Sequence, residues 1–180
     1  MSAPPPVIVW FRRDLRLADN PALARAAATG RPVVPVFILD ADTPGLRPPG
    51  GASRWWLHHS LAALTDDLAA RGSRLILRRG QAAVVLDALI AETGADTVLW
   101  NRCYDKGSVA RDTEIKTGLR ARGLQAESFN ASLLTEPWEI TTKAGGGYKV
   151  YTRFWQTCRA AGDPPPPVAA PDSLPAPQAW

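Results

Sequence analysis

The chain has 180 residues, of which 46% are hydrophobic and 21% charged, and carries a net charge of +4 at pH 7. One folded core of ordinary composition is expected, which excludes a collagen-like, wholly disordered or disulfide-stapled chain. The positive charge is mostly arginine spread along the sequence without a basic run, so composition alone does not make a DNA-binding module.

The proline-rich start has no basic end followed by an apolar stretch, so residues 1–6 read as a disordered tail rather than an export signal. Val7–Phe11 and Val33–Ile38 are continuous apolar runs of the kind found in parallel strands buried on both faces. Arg74–Leu77, Thr97–Trp100 and Gln125–Phe129 repeat the theme more weakly. Pro35 argues against a central position in its strand unless its missing donor falls where no ladder bond is needed.

Helical segments alternate with these strands. The first starts at Asp19-Asn20-Pro21, a capping residue followed by proline at the first helical position, and closes at Gly30. In the second, Ser53 is the expected cap, and Leu57, Leu61, Leu64 and Leu68 form a stripe that ends at Gly72. The third runs roughly over 81–93 with Val85 and Leu89 on one face and stops at Gly94. The fourth, roughly 106–122, carries Ile115 and Leu119 and ends at Gly123.

Strand and helix alternation through five strands predicts an α/β fold: a Rossmann-like, doubly wound, five-stranded parallel sheet with helices on both faces. Residues 7–131 are assigned to this domain. Residues 132–160 read as an exit segment with a glycine-rich turn at Gly145–Gly147, and the proline-rich residues 161–180 as an interdomain linker. No stretch is long and apolar enough for a membrane span, and the two cysteines, Cys103 and Cys158, fit no metal-ligand spacing. A cytoplasmic protein that binds neither membrane nor metal is expected.

Ligands of such sheets bind beyond the carboxyl ends of the strands, where strand order reverses. Dinucleotide and P-loop phosphate fingerprints are both missing there. His58 and His59 are the only histidines and are adjacent on a helix, where they point about 100° apart, so a shared metal or a histidine-based nucleophile arrangement has few candidates. No catalytic residue is assigned. The densest polar cluster, Arg12-Arg13-Asp14-Leu15-Arg16, follows the first strand directly. It could hold an anionic or heteroaromatic ligand through planar hydrogen bonds, or pair with nearby acids and stitch the loop to the sheet. Asp40 and Asn101 end the second and fourth strands on the same expected rim. The seven tryptophans, Trp10 and Trp100 among them, read chiefly as core or interface anchors.

The stretch Val9-Trp-Phe-Arg-Arg-Asp-Leu-Arg-Leu-Ala-Asp-Asn-Pro-Ala-Leu23 resembles the opening motif of the DNA photolyase and cryptochrome family. Four further stretches agree in order: Ser53–Leu61, Leu77–Gly80, Trp100-Asn101 through Ala110-Arg-Asp112, and Leu133–Pro137 followed by Tyr148–Trp155. The resemblance spans residues 7 to 156 and implies the family's N-terminal α/β domain, which holds a light-harvesting antenna chromophore in photolyases. A C-terminal FAD-binding helical domain, absent here, would take up the excitation and repair a cyclobutane pyrimidine dimer in DNA. Damaged DNA would then be met only by a full-length protein, and this chain alone would be inactive. The resemblance further implies pocket positions at Arg12, Asp40, Asn101, Cys103 and Asp105, with Asp14 and Arg54 completing the expected cofactor-binding set.

Two departures matter. Gly107 and Ser108 stand where folate-binding members carry an Asn-Glu pair, which disfavours a folate and favours 8-hydroxy-5-deazaflavin or FMN. Arg153 replaces the family's usual proline in the exit segment. A cryptochrome photoreceptor and a stand-alone nucleotide-binding or partner-docking domain remain open as alternatives.

Overall fold

Local sequence signals decide where each element starts and stops in the computed structural model, which describes residues 4–177. The order is β1 (Val7–Phe11), α1 (Pro21–Ala27), β2 (Val33–Leu39), α2 (Gly51–Ala69), β3 (Ile76–Arg79), α3 (Ala82–Thr93), β4 (Thr97–Asn101), α4 (Lys106–Ala121), β5 (Gln125–Phe129) and α5 (Tyr151–Ala160). The strands form one sheet in the order β3-β2-β1-β4-β5, and all neighbouring pairs are parallel. The expected five-stranded α/β architecture is therefore present.

Period-2 alternation sends side chains of each strand into two cores. Ile8, Trp10, Val36, Val98 and Trp100 meet Leu86, Leu89, Ile115 and Leu119 of α3 and α4 on one face. Val7, Val9, Phe11 and Leu99 meet Leu23 of α1 and Leu64 and Leu68 of α2 on the other. Burial on both faces is why β1 is apolar at all its positions.

Asn20 caps α1 by accepting from the Leu23 N–H, and Pro21 follows it. Gly94 ends α3 in the left-handed conformation. The start of α2 differs from expectation: Gly50 is its cap, without a side-chain bond, and Ser53 lies inside the first turn. The leucine stripe is also split, because Leu64 and Leu68 are buried whereas Leu57 and Leu61 are only half-buried. The first half of this helix does not lie on the sheet.

Pro35 is tolerated for a geometric reason. The Val33 N–H donates to the Pro175 carbonyl and the Leu39 carbonyl accepts from Gly80 on the β3 side, so the odd-numbered residues of β2 face that side. Pairing with β3 begins only at Val36 opposite Ile76, and the donor that Pro35 lacks falls just before it.

The chain divides into two units. One ends at Ala131 and takes up the chain again from Val168; the other is Ser132–Pro167. The proline-rich end therefore does not run away from the sheet as an interdomain linker throughout. Leu174 is fully buried in the second core, its N–H donates to the Arg71 carbonyl, and Pro175 supplies the acceptor for Val33. A proline has no N–H but keeps its carbonyl, which is all that this edge of β2 needs. At the other end, the first part of the expected tail lies outside the described residues, while the Pro5 carbonyl accepts from Arg31. Among the described residues, no helix is long and apolar enough to cross a membrane.

Candidate functional site

Strand order reverses between β1 and β4: the chain passes from β1 outward through β2 to β3, then returns to the other side of β1 as β4. Two central strands thus end side by side, with Arg12 just past β1 and Asn101 closing β4. Asn101 is buried and fully used. Its amide nitrogen donates to Asp14 at 2.6 Å and to Asn20 at 2.7 Å, and its side-chain oxygen accepts the Ala22 N–H at 3.1 Å. It thereby ties the start of α1 to the strand ends.

Arg12 is nearly buried. One of its terminal nitrogens pairs with Asp112 of α4, and the other donates to the Asn101 carbonyl. Its backbone N–H donates to Asp14 at 2.8 Å. Arg111 continues the chain of charges by donating to Asp112 at 2.9 Å and reaching Asp40 at 3.4 Å. Both guanidiniums lie against the Trp10 ring, at 4.6 Å for Arg12 and 4.7 Å for Arg111, within the range of a cation–π contact. Trp100 sits 6.1 Å from Trp10, tilted at 59°.

Asp40 binds the backbone N–H and hydroxyl of Thr43 at 3.0 and 2.7 Å and the Ala82 N–H at the start of α3 at 3.2 Å. Burial by itself would raise its pKa. The Thr43 and Ala82 hydrogen bonds and the Arg111 charge outweigh that and hold the carboxyl below the ordinary 3.8. Asp105 caps α4 through the Ser108 N–H at 3.0 Å and pairs with exposed Arg13 at 3.4 Å. For this carboxyl too, the bonds to Ser108 and the nearby Arg13 charge overcome the upward push of burial, and its pKa is lowered. Cys103 lies among Arg12, Asp112, Arg13 and Asp14, where burial pushes the thiol pKa up and keeps it protonated.

The expected site residues therefore have unequal fates. Arg12, Asp14 and Asn101 converge directly, and Asp40 joins them through Arg111 and Asp112. Cys103 lies beside the cluster, whereas Asp105 is committed to its helix cap. Arg54 does not join: it is exposed on the first turn of α2, and among the described residues no hydrogen bond or ion pair links it to the rest. Arg111 and Asp112 were missed as site residues, though a signal existed. Asp112 precedes Ile115 and Leu119 at helical spacing, so it is a charge on the apolar stripe of α4.

Three buried donors in this arrangement have no partner among the described residues: the indole N–H groups of Trp10 and Trp100 and the Arg12 Nε–H. Buried donors are nearly always satisfied, so such a group needs an explanation. Beside the cluster, a cavity of about 300 Å³ opens between α3 and α4, lined by Thr43, Pro44, Gln81, Leu86, Arg111 and Ile115 among others. Its lining mixes apolar residues with charged ones such as Asp87, Arg111 and Glu114, and its size is at the lower end for a small-molecule site. A larger hollow, about 440 Å³ beside β3 and α3, is lined by none of the strand-end residues. Arg111 lines the smaller cavity, whereas Trp10, Arg12 and Trp100 do not.

The loop between β2 and α2 closes over the start of α4. A Cβ on Gly107 would collide with the Gly45 carbonyl, so only glycine allows this approach.

Comparison with known proteins gives consistent results. The DNA photolyase family matches residues 7–173. The deoxyribodipyrimidine photo-lyase of Agrobacterium fabrum is 51% identical over 175 residues, covering 97% of this chain and 36% of that protein. Cryptochrome-1 of Arabidopsis thaliana is 42% identical over 170 residues, covering 93% of this chain and 25% of that one. The crystal structure of a bacterial class III photolyase from Agrobacterium tumefaciens superposes with a TM-score of 0.92 at 49% identity, covering all of this chain and 36% of that one. The chain thus spans about a quarter to a third of the length of these relatives.

Proposed function

The chain belongs to the DNA photolyase family, as its N-terminal α/β domain, and from this premise we propose that it holds a light-absorbing antenna chromophore within a longer photolyase. When bound, such a group absorbs light and passes the excitation on. The chain's own task is to bind the ring, fix its orientation and exclude water. The observation that carries this reading is the set of unpartnered buried N–H donors of Trp10, Trp100 and Arg12 where strand order reverses, next to the cavity walled by Arg111. A flat heteroaromatic ring offers carbonyl and ring-nitrogen acceptors, which suit N–H donors and a planar guanidinium.

Within this reading, Arg12, Asp14, Asp40 and Asn101 hold the wall, and Arg111 faces the ligand. Cys103 contributes a neutral, half-buried surface. Asp105 acts through the α4 cap, and Arg54 would take part only at the exposed rim. A deazaflavin or FMN is favoured over a folate, because Gly107 and Ser108 bring no carboxylate to the start of α4. FAD, the repair of cyclobutane pyrimidine dimers and contact with damaged DNA would belong to the larger C-terminal portion of a full-length protein. The free thiols of Cys103 and Cys158 support a reducing, cytoplasmic setting.

The test is an absorption spectrum of the purified chain titrated with 8-hydroxy-5-deazaflavin, FMN and a methenyl folate. A shifted band with stoichiometric uptake of the first or second is expected. Uptake of the folate alone would overturn the chromophore choice. Binding of ATP or AMP without uptake of any chromophore would favour a nucleotide-binding domain instead. Arg12→Ala should weaken chromophore binding by more than ~1 kcal/mol, the scale of a lost charge-assisted hydrogen bond. Unchanged affinity with a normal melting curve would make the cluster purely structural.

A further inference from the structure

Helix α2 is two different objects end to end. Its second half is anchored by Leu64 and Leu68, both buried in the sheet's core. Its first half, Gly51–Ala63, buries no residue. A helical stretch of this length without tertiary support is marginal in water, since isolated helices below ~12–15 residues are barely stable.

What this half displays is aromatic. Trp55 is 63% exposed and Trp56 68%, among the most exposed large side chains in the described structure. The rings pack on one another instead of on the core: Trp55 lies 6.4 Å from Trp56 and 4.4 Å from His59, and His59 lies 5.2 Å from His58. Two adjacent exposed indoles form the type of anchor that protein interfaces use. Arg47 and Arg54 are the charged residues in the sequence from Thr43 to Thr65, which contains no Asp or Glu.

We propose that the exposed face of Gly51–Ala63 is the docking surface for the further length of chain that the relatives carry beyond the matched part. This rests on the reading of the chain as one part of a photolyase-type protein. Two observations select that occupant. The matched region is only 36% of the Agrobacterium fabrum relative, so most of that protein remains to cover surface of this domain. A second copy is disfavoured by charge: a twofold interface sets the same patch against itself, and this patch would face Arg54 with its own kind. The complementary face is apolar, pocketed for two indoles and edged with carboxylates.

The experiment compares residues 1–180 alone with a chimera in which they replace the matched part of the Agrobacterium fabrum photolyase. Amide hydrogen exchange across Gly51–Ala63 should be at least about tenfold slower in the chimera, while exchange across Leu64–Ala69 changes little. The double variant Trp55→Ala/Trp56→Ala should lower the melting temperature of the chimera and leave that of the chain alone unchanged. Equal exchange in both proteins would overturn the proposal. So would protection in the chain alone that grows with concentration alongside a dimer in light scattering, which would assign the face to a second copy. Should the chimera lack a cooperative melting transition, exchange is measured in the intact Agrobacterium relative, at the helix aligned with α2. Fast exchange there overturns the proposal, and slow exchange supports it. Chromophore uptake is read from the spectrum of the chain alone, so the docking result and the antenna reading can fail separately.

Discussion

Strand β1 and helix α5 show two ways in which apolar residues can be used. All the side chains of β1 are buried between two layers of helices, whereas α5 buries none of its own. In α5, Tyr151 is 71% exposed and its ring lies 6.5 Å from Phe154, which Tyr148, just before the helix, approaches at 6.3 Å. Tyr148 and Thr157 add a hydrogen bond of 2.9 Å between their hydroxyls. The contrast teaches that apolar residues of β1 are buried inside the α/β unit, while the aromatic residues around α5 stay largely at the surface and meet one another. In the sequence, residues 132–160 read as an exit segment with no helix assigned at Tyr151–Ala160, where the structure has one with no buried residue.

Four measurements would break or sharpen this contrast. The largest effect is expected at Leu68, fully buried under α2: Leu68→Ala should cost about 2–5 kcal/mol in chemical denaturation. A loss below about 1 kcal/mol would mean that α2 is not anchored where it is drawn. Next, Gly107→Ala should cost about 1–3 kcal/mol, because its methyl group would meet the Gly45 backbone and the loop must shift. Neutrality there would show that the loop rides loosely on α4.

The third measurement is a pH titration of stability. Because the Asp40 pKa is lowered in the folded protein, its carboxylate stabilises the fold above the ordinary value of 3.8. That contribution disappears as pH falls through the lower folded value. Wild-type stability should therefore drop on acidification below about pH 4, and Asp40→Asn should flatten part of that drop. An identical acid limb in the variant would remove Asp40 from the network. The smallest effect belongs to the other region: Tyr151→Ala should stay within about 0.5 kcal/mol, as surface substitutions do. A large loss would erase the distinction between the two units.

How far the sequence anticipated this molecule depends on the range of the signal. Continuous apolar runs and the Asn20-Pro21 and Gly94 punctuation are local, and they marked strands and caps close to where they lie. Convergence of Arg12 and Asn101 at one rim followed from topology. The partners of Arg12 did not, because Asp112 lies 100 residues away on a helix whose rotation about its axis no local pattern specifies. The leucine stripe of α2 gave the helix but not its overhang, since spacing defines a face and says nothing about how far the sheet beneath it extends. The proline-rich end looked like a linker because composition registers the missing N–H groups, while its role depends on carbonyls and on the single side chain of Leu174.

The turn from Arg16 to Asp19 carries a consequence for Ser132–Pro167. Arg16 donates to the Ala131 carbonyl at 2.7 Å, and the Asp19 N–H donates to the Val168 carbonyl at 2.6 Å. Asp19 has φ 51°, the sole left-handed non-glycine among the described residues. Departure and return of the excursion are thus both tied to one short turn of the α/β unit, which makes it a cassette anchored at a single place. Because each doubling of a flexible loop adds only about 0.6 kcal/mol of closure entropy, such a cassette can be lengthened, shortened or exchanged at little cost to the sheet.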